Sequence, residues 1–447
     1  MNSYLYPTQN LSDNYYQTMA TLSEREQIAR LVHRFGFGPK PGEFEQLLAL
    51  GLSKARNSLL TVPQVDIGLS KVSTPVLSDL GKYPRPNTPE RLAFAQSMRS
   101  QSVDLTFWWL DRMVLADNCL TERMVWFWHG HWATSIGKVD YALPMKVQNE
   151  TLRKYALGDF SQMSRAMVED GALLIWLDAQ LNTAKSPNEN LARELMELFT
   201  LGVGKYSEVD VKSLARGLTG YQVTRSTGES AFLKNRHDSS SISFLGTVGS
   251  FTAPQLSDYL VSRSDCQTFI PARMWFRFIS TSTSAPTELS NSFSGRSTGA
   301  LVNALANHVA LADPINSQVK SPVEWFASVC RALNIVPSKL TSRTRATDYL
   351  GKLGQVPFAP PNVGGWPFDE AWLNTATAQY RIALADYLIS QGDLTPVKSS
   401  SSPDALANWL GVGKWSARTQ AALIAAGKDP SRIALLAICS PEYLVSA

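Results

Sequence analysis

The sequence predicts a mainly α fold: a large multi-helix globular body with long Ser/Gly/Pro-rich loops and few or no strands. Three observations carry this. Helix-start signatures recur, with a capping residue followed by Pro or by Glu three positions on, at Ser23/Glu26, Thr88-Pro89-Glu90, Ser186-Pro187/Glu189 and Ser321-Pro322/Glu324. No βαβ alternation, convincing strand series or fixed-period repeat is present. The 447 residues, 44% hydrophobic and 18% charged, suffice for a large core with two or three subdomains.

Taken in order, residues 1–20 read as a loose polar arm. The box at Ser23 and Glu26 opens a helix through Ile28, Leu31 and Val32 that stops at the Gly36-Phe37-Gly38-Pro39 turn. A short helix over Phe44–Leu50 ends at Gly51, and 62–88 is an irregular Pro/Ser/Val-rich connection. Helices then follow from Thr88, over 104–117, and from Thr121 to near His129, this last one rich in Trp. Further helices fill 143–181. Ser186 begins the central helix, which Gly202 and Gly204 end, and Ser207 caps the next. From 224 to 251 periodicity is lost, which predicts a long loop and a possible subdomain break over 222–253. Helices resume over 254–262, 265–280, 321–334 and 372–391. The main helical domain is placed at 21–395 and a C-terminal helical extension at 396–447.

Composition excludes several classes. A net charge of +4 with no Lys/Arg block gives no reason to expect nucleic acid. The four cysteines are far apart and read as buried thiols. No run of about 18 apolar residues predicts a membrane span. The N-terminus lacks the basic start and apolar run of a signal peptide, so a cytoplasmic location is expected.

Chemistry concentrates on the central helix. Leu191, Ala192, Leu195, Met196, Leu198 and Phe199 share one apolar sector, whereas Asn190, Arg193, Glu194 and Glu197 share another about 100° wide. That second sector is either a solvated face or a polar site set into a core. Glu194 and Glu197, at i and i+3, can act as a base and its partner or give oxygens to one ion. His129-Gly130-His131 can chelate a metal if Gly130 ends the helix, and Glu122, seven residues earlier, can then orient the His129 ring. The competing reading buries both histidines among aromatics, bonded to backbone carbonyls. His237-Asp238 is a third candidate, and with it the set suits zinc, iron or manganese. Arg193 and Arg216 can bind a substrate anion or pair with nearby carboxylates. Lys320 and the loop 362–367, with Trp366, can line a cleft. No G-x-S-x-G, Walker, G-x-G-x-x-G or H-E-x-x-H motif occurs.

The blocks Leu-Val-His-Arg-Phe-Gly-Phe-Gly-Pro (31–39), Glu-Arg-Met-Val-x-Phe-Trp-His-x-His (122–131), Asn-Glu-Asn-x-Ala-Arg-Glu-Leu-Met-Glu-Leu-Phe-Thr-Leu-Gly (188–202), Ala-Arg-x-Leu-Thr-Gly-Tyr (215–221), His237-Asp238, Lys-Ser-Pro-Val-Glu (320–324) and Pro-Asn-Val-x-Gly-Trp-Pro (361–367) resemble the DUF1800 family, a bacterial group without an assigned function. They span about residues 25–385. The resemblance implies a mostly helical fold in which these polar blocks recur together. Family members usually read His-Asp-x-Gly-x-Lys before Leu-Gly, whereas here Ser239–Ser243 separates Asp238 from Phe244-Leu245-Gly246, without that Gly and Lys. Many relatives look exported and lie beside DUF1501 proteins, which resemble the alkaline phosphatase and sulfatase superfamily. Two functions are therefore expected. The first is a metal-dependent, hydrolase-type enzyme. In it Glu194, Glu197 and Arg193 are catalytic, His129, His131 and His237 hold a divalent metal, and Asn190, Arg216, Asp238 and Trp366 contact substrate. The alternative is a non-catalytic accessory protein for a DUF1501-type hydrolase, in which the same residues form a buried structural network.

Overall fold

Ser23 starts the first helix as its spacing predicts: its side chain accepts the Glu26 amide, and the Glu26 carboxylate accepts the Ser23 amide at 2.8 Å. The computed structural model describes residues 21–446, so the predicted N-terminal arm lies outside the described residues. The helices are α1 (Glu24–Arg34), α2 (Glu43–Leu50), α3 (Leu52–Leu60), α4 (Pro89–Leu115), α5 (Leu120–His131), α6 (Ile136–Val139), α7 (Ala142–Tyr155), α8 (Phe160–Val168), α9 (Gly171–Trp176), α10 (Asn190–Glu194) and α11 (Glu208–Gly217). After two hairpins come α12 (Ala253–Ser262), α13 (Ser264–Phe278), α14 (Thr298–Asn307), α15 (Pro322–Ala332), α16 (Arg343–Lys352) and α17 (Thr375–Ile389). The chain closes with α18 (Thr395–Ser399), α19 (Pro403–Leu410), α20 (Ala417–Ala425), α21 (Pro430–Ile438) and α22 (Pro441–Leu444). The fold is mainly α, as the capping pattern requires.

The segment read as one long loop carries two short hairpins. Strand β1 (Tyr221–Thr224) pairs antiparallel with β2 (Glu229–Phe232), and β3 (Ile242–Phe244) with β4 (Thr247–Gly249). Tyr221, Val223, Ile242 and Phe244 point into the core while their neighbours face out. Strands of three or four residues are too short for their alternation to stand out. A third pair joins β5 (Gln318–Val319) to β6 (Val445–Ser446), tying the end of the described chain to the segment before Lys320.

One hydrophobic core runs from Leu31 to Tyr443, and a smaller cluster of Ile28, Ala29, Val32, Phe44, Leu47 and Ala55 fastens α1 to α2 and α3. Eleven of the twelve tryptophans are buried, so their abundance serves packing rather than an exposed stacking platform. The C-terminal helices close on the N-terminal one: Arg25 donates to Asn408 Oδ1 at 2.7 Å and to the Gly413 carbonyl at 3.0 Å.

Candidate functional site

The central helix begins later than its capping signature suggests. Ser186 pairs with Thr183 in a short bridge, and the buried Asn182 side chain accepts the Asn188 amide at 2.8 Å. Asn188 in turn accepts the Asn190 amide at 3.0 Å, and α10 starts there. After Glu194 the backbone widens into a π turn over Leu195–Thr200. The Leu201 and Gly202 amides both return to the Met196 carbonyl, at 2.9 and 3.1 Å. Such widenings are rare and concentrate at functional sites. Leu191, Ala192, Leu195, Met196 and Phe199 are buried as predicted, and Gly202 and Gly204 take positive φ at the exit.

Arg193, Glu194 and Glu197 lie together, half-buried, on the outer face of this turn, and Asn190 is exposed beside them. Among the described residues no group donates a hydrogen bond to the Glu194 carboxyl. Partial burial, aided by the Glu197 charge and only partly countered by Arg193, pushes Glu194 up from the usual carboxylate range to about 7. Glu197 accepts the hydroxyl of Tyr206, whose acidity burial and Glu197 suppress. Arg193 turns away from both glutamates: its guanidinium forms a two-pronged bond to Glu208 at 2.7 and 2.9 Å and reaches Glu189 at 3.2 Å. It therefore ties α10 to the start of α11.

The histidines take the buried alternative. Gly130 does not end the helix, which continues through His131, so His129 and His131 point about 200° apart. Nε2 of His129 accepts the Phe358 amide at 3.2 Å, and Trp109, Phe358 and Trp366 surround the ring at 5.2–5.4 Å between centroids. Phe358 holds a left-handed φ of +65°, a costly geometry for a bulky residue. Its amide on His129 and its carbonyl on the Ile136 amide, at 2.8 Å, fix it there. Nε2 of His131 donates to the Phe199 carbonyl at 3.0 Å, leaving Nδ1 buried and unpartnered among aromatic rings. Burial lowers both imidazoles to about 3. Glu122 does not orient His129. It is buried against Arg112 at 2.8 Å, Arg153 at 2.7 and 2.9 Å, and the Trp109 indole at 3.0 Å.

His237 donates from Nδ1 to the Thr219 carbonyl at 3.0 Å. Arg216 and Asp238 pair with each other at 2.8 Å, and that bond with those from Ser240 lowers Asp238 to about 2. Ser240, in the stretch that departs from the family pattern, closes its own turn on Asp238 at 3.0 Å. Trp366 stacks on Trp126 at 5.1 Å and is buried. Thus Arg193, Glu194 and Glu197 come together, but neither the paired histidines nor His237 joins them by a hydrogen bond or ion pair. Among the described residues no three His, Cys, Asp or Glu side chains are grouped to hold a metal ion. The residues present do not fit the expected His/Glu centre: its two helix histidines are opposed, and their Nε2 atoms are taken.

Sequence reasoning missed Tyr206, Glu208 and Asn182, which lie outside the amphipathic window. The Tyr206–Glu197 bond is a contact back across the Gly202–Gly204 turn, which no spacing rule on either helix signals. None of the curated proteins and none of the solved structures matches the chain. A family model described as "Protein of unknown function (DUF1800)" matches residues 30–445, a span that includes the central helix, both histidine blocks and the C-terminal helices. The chain belongs to the DUF1800 family.

Proposed function

We propose that this protein is an enzyme that moves protons at Glu194, with Glu197 and Tyr206 as its fixed neighbours. One observation carries the reading: Glu194 is a half-buried carboxyl with no hydrogen-bond donor among the described residues, beside a second carboxylate, at a π turn. A carboxyl poised near neutrality gives up and takes back a proton with little driving force either way, which is what general acid–base catalysis needs. In its ionised form Glu194 would draw a proton from water or a substrate hydroxyl, and in its protonated form it would return one to a leaving oxygen. Glu197 raises the proton affinity of Glu194, and the Tyr206 hydroxyl fixes Glu197 in place.

The test is a screen of the full chain against chromogenic esters, glycosides and phosphates, beside Glu194→Gln. Turnover that falls about 10²–10⁴-fold in the variant, with unchanged circular dichroism, supports the reading. Equal turnover in parent and variant overturns it.

A second reading, a helical accessory protein for a DUF1501-type hydrolase, draws on a different observation. His129, His131, Arg193 and Arg216 all have intramolecular partners, as residues that fix helix register would. It predicts that Glu194→Gln leaves capture of such a partner intact, while His131→Ala abolishes it by unfolding the chain.

A further inference from the structure

Helix α13 carries two apolar faces. Cys266, Ile270, Met274 and Phe278 are buried in the core. Thr268, Pro271, Ala272, Trp275 and Phe276 recur at i, i+3, i+4, i+7 and i+8, so they form a second stripe along one side of the helix. The segment 281–290 passes in front of that stripe without filling the space between them. A pocket of about 230 Å3 is left there.

Its floor is apolar and held in place. Pro271 and Trp275 are buried, Trp275 with only 1% of its surface exposed. The Trp275 indole N–H donates to the Thr283 carbonyl at 2.9 Å, and the His308 ring meets the indole edge-on at 4.9 Å. Two contacts on different elements therefore fix the ring before any ligand arrives. Ala285 and Pro286 continue the apolar wall on the loop side.

The hydroxyls around the pocket are largely spent inside the protein. Thr281 donates to Asp369, Thr268 donates to the Asp265 carbonyl at 2.9 Å, and Ser282 shares a hydrogen bond with Ser280 at 3.2 Å. The Ser284 and Thr287 hydroxyls, on exposed residues at the rim, have no partner among the described residues. Among the described residues no charged side chain lines the pocket.

These features select a ligand class. A charged molecule would give up its hydration here with no counter-charge to meet it, so the occupant is neutral. A cavity of about 150 Å3 with apolar walls admits benzene, and this pocket is about half as large again, which is room for two fused rings. Trp275 and Phe276 favour an aromatic guest through edge and offset packing. The rim hydroxyls can meet one polar group on the edge of such a guest. We infer that this pocket binds a neutral bicyclic aromatic molecule of indole size, its rings against Pro271, Ala272 and Trp275 and its polar edge at Ser284 or Thr287.

Isothermal titration of the full chain with indole tests the inference, beside indole-3-carboxylate as the charged analogue. Two variants, Ala272→Phe and Ala285→Leu, fill the pocket from the helix and from the loop. Indole is expected to bind one-to-one with a millimolar or tighter Kd, and indole-3-carboxylate at least tenfold more weakly. Each variant should weaken indole at least tenfold, with the melting temperature of the ligand-free protein unchanged or raised, as cavity filling predicts. Should one variant fail to fold, the other decides. No indole binding, binding unchanged in a folded variant, or equal binding of indole-3-carboxylate would each overturn it.

Discussion

Replacing Glu194 by Gln removes one titrating proton and little volume, so its effect on stability isolates the electrostatics of the site. In the folded protein this carboxyl sits at about 7, against an ordinary 4.5. The folded state therefore holds a proton between those values that the unfolded state releases. With the unfolded chain binding fewer protons, stability falls as pH rises through that window, and the loss is complete above about 7. At about 1.4 kcal/mol per pKa unit the shift sets a ceiling near 3 kcal/mol. Glu194 is only partly buried, so solvent screening reduces this to about 1–2 kcal/mol. Urea unfolding of parent and Glu194→Gln at pH 4.5, 6 and 8 measures it. The variant should match the parent at pH 4.5, within about 0.5 kcal/mol, and exceed it by about 1–2 kcal/mol at pH 8. A difference that stays flat across this range would refute the reasoning, because an unstrained, solvated glutamate gives none.

The remaining predictions concern buried groups. Burial pushes the Glu122 carboxyl up, but Arg153 and Arg112 together outweigh it and hold the group ionised below the usual range. Glu122→Gln leaves Arg112 without an ion pair among the described residues and Arg153 with Glu150 alone, and should cost about 3 kcal/mol in denaturant unfolding. His129 and His131, lowered to about 3, stay neutral in the fold while the unfolded imidazoles protonate below about 6.5. Acid should therefore destabilise the protein by about 1.4 kcal/mol per pH unit for each histidine, and His131→Phe should remove one such slope between pH 6 and 4. Lys320, lowered by burial to about 7 with Glu324 opposing and Arg381 assisting, is neutral in the fold above that pH but charged in the unfolded chain up to about 10.5. Stability should rise over this interval, and Lys320→Met should flatten the rise, read from melting temperatures at pH 7, 8 and 9. An unchanged rise would show that the amine is solvated.

Helix content was legible because capping is local chemistry. Ser23, Thr88 and Ser207 satisfy free amides with their own side chains, and each does so within three residues. Ser186 carried the same signature and failed, because the Asn182 side chain, buried under α11 through its bond to the Ala215 carbonyl, captures the Asn188 amide first. That competition depends on a contact across 33 residues, which no window on the central helix contains. The two hairpins were missed for a similar reason: their alternation extends over three or four residues, and pairing across a turn stabilises what propensity does not.

For the candidate site the same distinction separates what periodicity can and cannot assign. It placed Arg193, Glu194 and Glu197 on one face because helical spacing fixes direction. It could not tell that Arg193 serves Glu208 while Glu194 is left without a donor among the described residues, since both residues occupy that face equally well. The same ambiguity applied to His129 and His131, whose roles hung on whether Gly130 ended the helix. A glycine in a helix interior costs only about 1 kcal/mol, and the aromatic packing around both rings exceeds that, so the helix runs on and the pair is split.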